Sequence, residues 1–416
     1  MKALSYTDEQ LKWILENGSS ELTWAELAEE FEKEFGIKKT GNAIRKTYSL
    51  WEGHEFSNDE MLKNIRSAHS AKKQKGKVAK ENRLLLDYLD QQEEMIESFK
   101  EILKANPLKV HKPVKNKKKK KKTQRAIIMH LSDTHFQSMI DEDEMAGLNK
   151  YTNIEEARRL AFFTKEVCEF KEEYRDETEL VIVCNGDLGQ GIIHDIENTP
   201  PMTTQFSAML HLLTQAISYA STKFKKVRVI CTVGNHLRMM HKSNKGRQTR
   251  EKWDSFATML HVALKYALLS HTNVEFEIPI APFAYTDILG HKFFITHSDT
   301  VLNIGYPGKS INVETAKNKI NDLKEGLGHI DVVLAGHVHV DTKQVLINGT
   351  TLLTNGSMSG IDPFALSIGI TKSLPTQQLF EVTKEHPVGD LRSIHLNQAD
   401  KIKSLDKIVE PFKGKF

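Results

Sequence analysis

The stretch Ala126-Ile127-Ile128-Met129-His130-Leu131-Ser132-Asp133-Thr134-His135 passes from a mostly apolar, β-branched run to a carboxylate and an imidazole. The run is short for a helix and too apolar for a surface strand, so it predicts a strand buried on both faces. The same transition recurs twice more. Residues 180–184 lead into Asn185-Gly186-Asp187, and residues 227–232 lead into Gly234-Asn235-His236. Stretches of helical periodicity follow these strands, over 153–174, 202–221 and 251–269. Further strands are expected at 274–278, 292–296, 331–334, 343–347 and 351–354. This alternation predicts an α/β layered domain over residues 126–385, with residues 386–416 left as a polar tail that could pack as a short helix.

Two more polar motifs stand at strand ends. His297 follows Phe293-Phe294-Ile295-Thr296, and Gly336-His337-Val338-His339 follows residues 331–334. Ligands of open α/β sheets gather outside the carboxyl ends of strands, so all five motifs are aimed at one crevice. They offer Asp133, His135, Asp187, Asn235, His297, His337 and His339. Carboxylate, amide oxygen and imidazole without thiolate suit manganese, iron or zinc. The set is too large for one tetrahedral ion. It suits two ions about 3.5–4 Å apart that share a carboxylate, the arrangement used for phosphoryl chemistry. Each residue alone has an ordinary alternative: Asp187 beside Gly186 could close a turn, and His297 could sit in a core. The joint order carries the reading. His130, within a strand, is assigned no role.

Asp-x-His, Gly-Asp, Gly-Asn-His, a lone His and Gly-His-x-His, in that order, closely resemble the calcineurin-like metallophosphoesterases over 126–383. The resemblance implies a two-sheet α/β sandwich flanked by helices and a pair of divalent ions, manganese first and iron or zinc as alternatives. It implies that Asp133, His135 and His339 hold one ion, that Asn235, His297 and His337 hold the other, and that Asp187 bridges. His236 is then not a ligand but the catalytic group beside the scissile phosphate, stabilising charge or protonating the departing oxygen. Two departures matter. Leu188-Gly189-Gln190-Gly191 replaces the Asp-Arg-Gly of the protein Ser/Thr phosphatase branch. Leu237 follows His236, where that branch has Glu and the repair-nuclease and cyclic-nucleotide branches commonly have Asp. The missing Arg argues against the protein-phosphatase branch. Arg238, Lys242, Lys245, Arg247 and Arg250 form a basic stretch that could hold a polyanion near the crevice or be a solvated loop. His194 could approach substrate or be a loop histidine.

Upstream, residues 1–55 read as three short helices. Thr7 with Gln10 and Thr23 with Glu26 are capping boxes, and Gly18 and Gly36 stand where helices should stop. Leu11, Ile14 and Leu15 line one face of the first helix, and Leu27, Ala28, Phe31 and Phe35 one face of the second. The third puts Ile44, Tyr48 and Trp51 inward and leaves Asn42, Arg45, Lys46 and Ser49 outward. The pattern resembles the small helix-turn-helix (Myb/SANT-like) modules of phage and mobile-element proteins. That resemblance implies DNA as a partner, with Asn42, Arg45 and Lys46 facing a groove. A protein-interaction module is the alternative.

Residues 67–106 predict long helix. Leu85, Leu89, Ile96, Phe99 and Leu103 recur at coiled-coil spacing, which permits a homodimer through 84–103 or packing on a neighbour. Residues 107–125 are expected to be a disordered linker, because Lys117, Lys118, Lys119, Lys120, Lys121 and Lys122 repel one another and bury nothing. They could grip phosphates or serve as a solvated spacer.

Composition sets the outer bounds. The chain has 416 residues and a formal net charge of +3. That charge hides one strongly basic segment, because Lys and Arg over 104–125 outweigh an acidic remainder. No apolar run is long enough for a transmembrane helix, and no signal peptide is apparent. Cys168, Cys184 and Cys231 are odd in number and lack Cys-x-x-Cys spacing, which fits a reducing, cytoplasmic setting, the host cytoplasm if the chain is phage-encoded. The function expected is a two-metal phosphodiesterase or nuclease acting on DNA. The alternatives are a small-nucleotide phosphoesterase and a non-catalytic DNA-binding protein that retains the fold.

Overall fold

The computed structural model describes residues 6–51, 101, 104, 107–114, 124–174, 178–192, 199–239, 255–307, 311–367, 369, 374–402 and 404–414. The chain divides into two compact units, residues 1–92 and 93–416.

Among the described residues, the first unit holds three helices, α1 (Asp8–Asn17), α2 (Trp24–Phe35) and α3 (Gly41–Trp51). Both expected capping boxes form. The Thr7 amide donates to Gln10 Oε1 at 2.9 Å, and the Thr23 amide to Glu26 Oε2 at 2.7 Å. Gly36 ends α2 at φ +64°, a conformation that costs glycine nothing. Ile14, Leu27, Ala28, Phe31 and Ile44 form the centre, ringed by Tyr6, Trp13, Trp24, Phe35 and Tyr48. Phe31 meets Trp13 edge-on, ring centres 5.6 Å apart. Leu15, expected inside, is only half-buried, while Trp13 packs against the centre. Asn42, Arg45, Lys46 and Ser49 are exposed, opposite buried Ile44 and Thr47.

The second unit is built on two mixed sheets. One has the order β11-β10-β1-β2-β3-β4, from β1 (Arg125–Leu131), β2 (Thr178–Asn185), β3 (Val227–Thr232), β4 (Val274–Glu277), β10 (Thr376–Thr383) and β11 (Leu391–His395). Strands β1 to β4 run parallel, and β10 and β11 are added antiparallel. The other has the order β5-β6-β7-β9-β8, from β5 (Ala284–Ile288), β6 (His291–Thr296), β7 (Val332–Ala335), β8 (Thr342–Val345) and β9 (Thr351–Thr354).

The period-two alternation of strand side chains divides the core. Ala126, Ile128, Val181, Val183 and Ile230 face Phe293, Ile295, Val332 and Leu334 between the sheets. Ile127, Met129, Ile182, Val229 and Cys231 point the other way, onto α4 (Asn153–Glu172), α5 (Met202–Lys223) and α6 (Phe256–Ala267). Beyond the second sheet, Phe294 and Val333 pack on Ala316 and Ile320 of α7 (Val313–Leu327). The layers are therefore helix, sheet, sheet, helix. A short α8 (Pro363–Ser367) precedes β10. No described helix is long and apolar enough to cross a membrane.

Three expectations are corrected. Residues 386–416 are not a tail: β11 extends the first sheet, and Leu396, Ala399, Leu405, Ile408, Val409 and Phe412 are buried in the unit. Their spacing follows two short 3₁₀ turns, Leu396–Lys401 and Leu405–Lys407, which leave no helical or strand period in the sequence. The disordered linker expected over 107–125 does not include residues 107–114. There Leu108 packs on the core, the His111 amide donates to Ser218 Oγ at 3.1 Å, and Lys109 pairs with Glu410. Arg125 belongs to β1, where it pairs with Glu381 and lies 4.0 Å above the Tyr174 ring centre. Residues 115–123, with the six consecutive lysines, and nearly all of 67–106 lie outside the described residues.

Candidate metal centre

The loops after β1, β2 and β7 turn sharply at the site. Asp133, His135, Asp187, His337 and His339 all have positive φ, between +43° and +72°. Such conformations cost a non-glycine residue about 1–3 kcal/mol each and persist where surrounding bonds over-determine them. Those bonds are present. The β1–β2 ladder continues past both strand ends, with His135 N donating to Asp187 O at 3.1 Å and Phe136 N to Leu188 O at 3.0 Å. Gln190 N returns to Phe136 O at 3.1 Å. The loops after β1 and β2 are thus one stapled platform.

The two carboxylates tie distant motifs together. Asp133 accepts the His337 amide on both oxygens, at 3.0 and 3.1 Å. Asp187 Oδ1 accepts the His236 amide at 2.8 Å. The close approach requires glycine at 234, since a Cβ there would lie 2.1 Å from Asp187 Oδ1. On its other side, Asp187 Oδ2 lies 2.7 Å from His297 Nε2. His297 Nδ1–H donates to Asn185 O at 2.9 Å, which orients the ring from behind. His339 Nε2 lies 3.3 Å from Asp133 Oδ1 and 3.1 Å from His135 Nε2.

Three sets of convergent ligand-type atoms result: Asp133 with His135 and His339, Asp187 with His297 and His337, and His135 with Asp187 and His236. Within each set the atoms lie within 4.8 Å of one another. Sharing Asp187 and His135 makes them one continuous centre. Asn235 Oδ1, a seventh donor of the expected set, is buried with no hydrogen-bond partner. A buried amide oxygen left that way lacks a donor or a cation. Oxygen and imidazole donors, two buried carboxylates and this bare amide oxygen fit a pair of divalent ions.

The charges fit as well. Burial opposes ionisation of Asp133, but His297 and His339 outweigh it and hold the carboxyl down at about 2. Burial likewise opposes ionisation of Asp187, and His297 and His236 hold it well below the usual range. Burial opposes charge on His297, but Asp187 and Asp133 raise the imidazole to about 9. Burial, and then His297, pushes His337 down to about 4. Without ions, His297 therefore carries a proton that a cation would displace. Its contribution to folding is full below its unfolded value near 6.5 and is lost as pH rises through about 9. The melting temperature of the metal-free chain, measured in chelator, is expected to fall across pH 6.5–9. Metal uptake at pH 8, followed by calorimetry in buffers of different ionisation heat, is expected to release a proton.

His236 stands farther than His297 from the shared carboxylate. Its Nε2 is 3.9 Å from Asp187 Oδ2, where His297 Nε2 is 2.7 Å away, and its ring centre lies 4.5 Å from that of His135. Its Nδ1–H donates to the Gln190 carbonyl at 2.7 Å. That backbone partner has no side-chain signature in the sequence. Leu237, where related branches carry an acid, is buried in the core. Another contact not read from the sequence lies under the first motif. The buried Glu156 accepts the Gln137 amide at 2.8 Å, and burial raises its carboxyl to about 7. Of the basic stretch only Arg238 is described, and its Nε donates to Asn235 O at 2.8 Å. Lys242, Lys245, Arg247, Arg250 and His194 lie outside the described residues.

No curated protein matches the sequence. Among solved structures, a 5′-nucleotidase from Candida albicans is 11% identical with a TM-score of 0.31, covering 65% of this chain and 48% of that one. A putative 5′-nucleotidase from Staphylococcus aureus is 13% identical with a TM-score of 0.31, covering 65% and 54%. Vps29 from Chaetomium thermophilum is 10% identical with a TM-score of 0.27, covering 64% and 96%. The chain spans about half the length of the two nucleotidases. The family model of the calcineurin-like phosphoesterases matches residues 127–341, just over half of the chain and all five motifs. The chain belongs to the calcineurin-like phosphoesterase family.

Proposed function

We propose that this metal-dependent phosphoesterase is a phosphodiesterase that cuts DNA. The observation that carries the chemistry is the convergence of Asp133, His135, Asp187, His297, His337 and His339 into ligand sets that overlap through His135 and Asp187 around two buried carboxylates. Asp133, His135 and His339 would hold one ion, Asn235, His297 and His337 the other, with Asp187 between them. When bound, the ions would supply Lewis acidity toward the phosphoryl oxygens and the attacking water. The chain's own part is positioning. Backbone amides of His236 and His337 lock the two carboxylates, and the Asn185 carbonyl locks the His297 ring. His236, with Nδ1–H committed to the Gln190 carbonyl, would meet the substrate through Nε2. As the P–O bond breaks, a proton on Nε2 passes to the departing oxygen.

DNA as substrate is supported by the first unit. One face of α3 exposes Asn42, Arg45 and Lys46, the polar and basic composition that a groove-reading helix needs. The lysines at 117–122 would add phosphate contacts by counterion release.

The test uses the full chain with manganese on plasmid, single-stranded DNA, a bis-aryl phosphodiester and a cyclic nucleotide. It is repeated with Asn42, Arg45 and Lys46 all changed to Ala. DNA turnover at low substrate is expected to fall about 10–100-fold, at about 1–3 kcal/mol for a groove contact, with ester turnover unchanged. High ester or cyclic-nucleotide turnover with DNA untouched would instead favour a small nucleotide substrate.

A further inference from the structure

The loop that supplies the Gln190 carbonyl is held from outside the metal centre. Gln205, in the first turn of α5, is fully buried. Its Oε1 accepts the Gly191 amide at 2.7 Å, and its Nε2 donates to Gly191 O at 3.2 Å and to Pro200 O at 2.8 Å. Both polar groups of the Gly191 backbone are therefore paired with one side-chain amide. Gly191 itself sits at φ +71°, and a Cβ there would lie 1.8 Å from the His236 carbonyl oxygen. The loop thus runs against the backbone of the Gly234-Asn235-His236 motif with no room for a side chain. One residue before Gly191, the Gln190 carbonyl receives His236 Nδ1–H at 2.7 Å.

We propose that Gln205 is a positioning residue for His236. By clamping Gly191 on both sides, it fixes the direction of the Gln190 carbonyl. That carbonyl accepts only a hydrogen, so it selects the ring form with hydrogen on Nδ1 and turns Nε2 toward the crevice. Gln205 touches neither substrate nor ion; it acts through two backbone units. Its amide supplies both an acceptor and a donor to a single residue, a geometry that Met, of similar volume but without polar hydrogens, cannot supply. The inference rests on the phosphoesterase reading, because it assigns His236 the departing oxygen.

The test compares two phosphodiesters, one with a nitrophenol leaving group and one with an alkyl alcohol leaving group, on the fully metal-loaded chain. A nitrophenolate departs without a proton, whereas an alkoxide needs one. Gln205→Met is expected to lower kcat on the alkyl ester about 10–100-fold, part of the 10²–10⁴ that general acid catalysis supplies, with KM little changed. On the nitrophenyl ester the loss is expected to stay below about 3-fold, since little proton transfer is needed there. Gln205→Glu keeps the acceptor for the Gly191 amide and is expected to fall between wild type and Met. Imidazole nitrogen NMR of the zinc-loaded protein supplies a readout besides turnover. His236 is expected to keep a hydrogen on Nδ1 throughout in wild type, whether or not Nε2 also carries the proton it delivers, and to show both neutral ring forms in the Met variant. Equal losses on the two esters, or an unchanged His236 spectrum in the Met variant, would overturn the clamp. A wild-type chain that turns over neither ester but shows the expected spectral change would sink the phosphoesterase reading and leave the clamp in place.

Discussion

Asp187→Ala is expected to remove both bound ions and turnover together. Asp187 belongs to two of the three ligand sets, and each of its oxygens is already committed, one to the His236 amide and one toward His297. Ion-assisted charge stabilisation is worth several kcal/mol, so kcat/KM is expected to fall by at least about 10³-fold. The metal-free protein suffers as well. Removing Asp187 leaves the fully buried His297 imidazole without its nearest anion, and breaking a buried pair costs about 3–5 kcal/mol. Elemental analysis, turnover in manganese and a melting curve in chelator measure the three effects separately. A variant that still binds two ions at wild-type turnover would remove Asp187 from the centre.

His236→Ala carries the second-largest effect and the opposite signature. Turnover of an ester with a poor leaving group is expected to drop about 10²–10⁴-fold, the usual worth of a positioned general acid, while both ions stay bound. Geometry supports this separation. His236 Nε2 lies 3.9 Å from Asp187 Oδ2, against 2.7 Å for His297. His236 also joins His135 and Asp187 in a ligand-type set, so the metal content of the variant decides between acid and ligand. Loss of one ion would make it a ligand.

Much of the chain's local structure is legible in its residues. The capping boxes at Thr7 and Thr23 are bonds between residues three apart, and they form as the spacing requires. The runs at 126–131, 180–184 and 227–232 are strands because a continuous apolar, β-branched stretch of that length has few other stable solutions. β5, β10 and β11 are not among the strands expected, and for the last two the reason is definite. β10 carries Gln377 and Gln378 in its interior, which reads as surface. Both are buried, and Gln377 Oε1 accepts the Ser132 amide at 3.0 Å and Asn355 Nδ2 at 2.9 Å. Polar residues that find partners across the fold give no apolar period to detect. β11 and the turns after it were hidden by the same lack of period.

The candidate site divides along the same line. Its residue types and their order at strand ends stand in the sequence, because ligand chemistry and strand propensity are properties of single residues and short runs. The backbone contacts do not. That the Gln190 carbonyl receives His236, that the Asn185 carbonyl receives His297, and that Gln205 holds the loop between them are contacts of atoms every residue possesses, or of an amide buried far along the chain. Only the tertiary packing brings those atoms within 3 Å of their partners: the second sheet laid on the first for His297, and neighbouring loops of the first sheet with α5 for the others. The sequence by itself determined which groups can bind metal and in what order they appear; the tertiary structure decided which carboxylate faces which imidazole, and which carbonyl aims each ring.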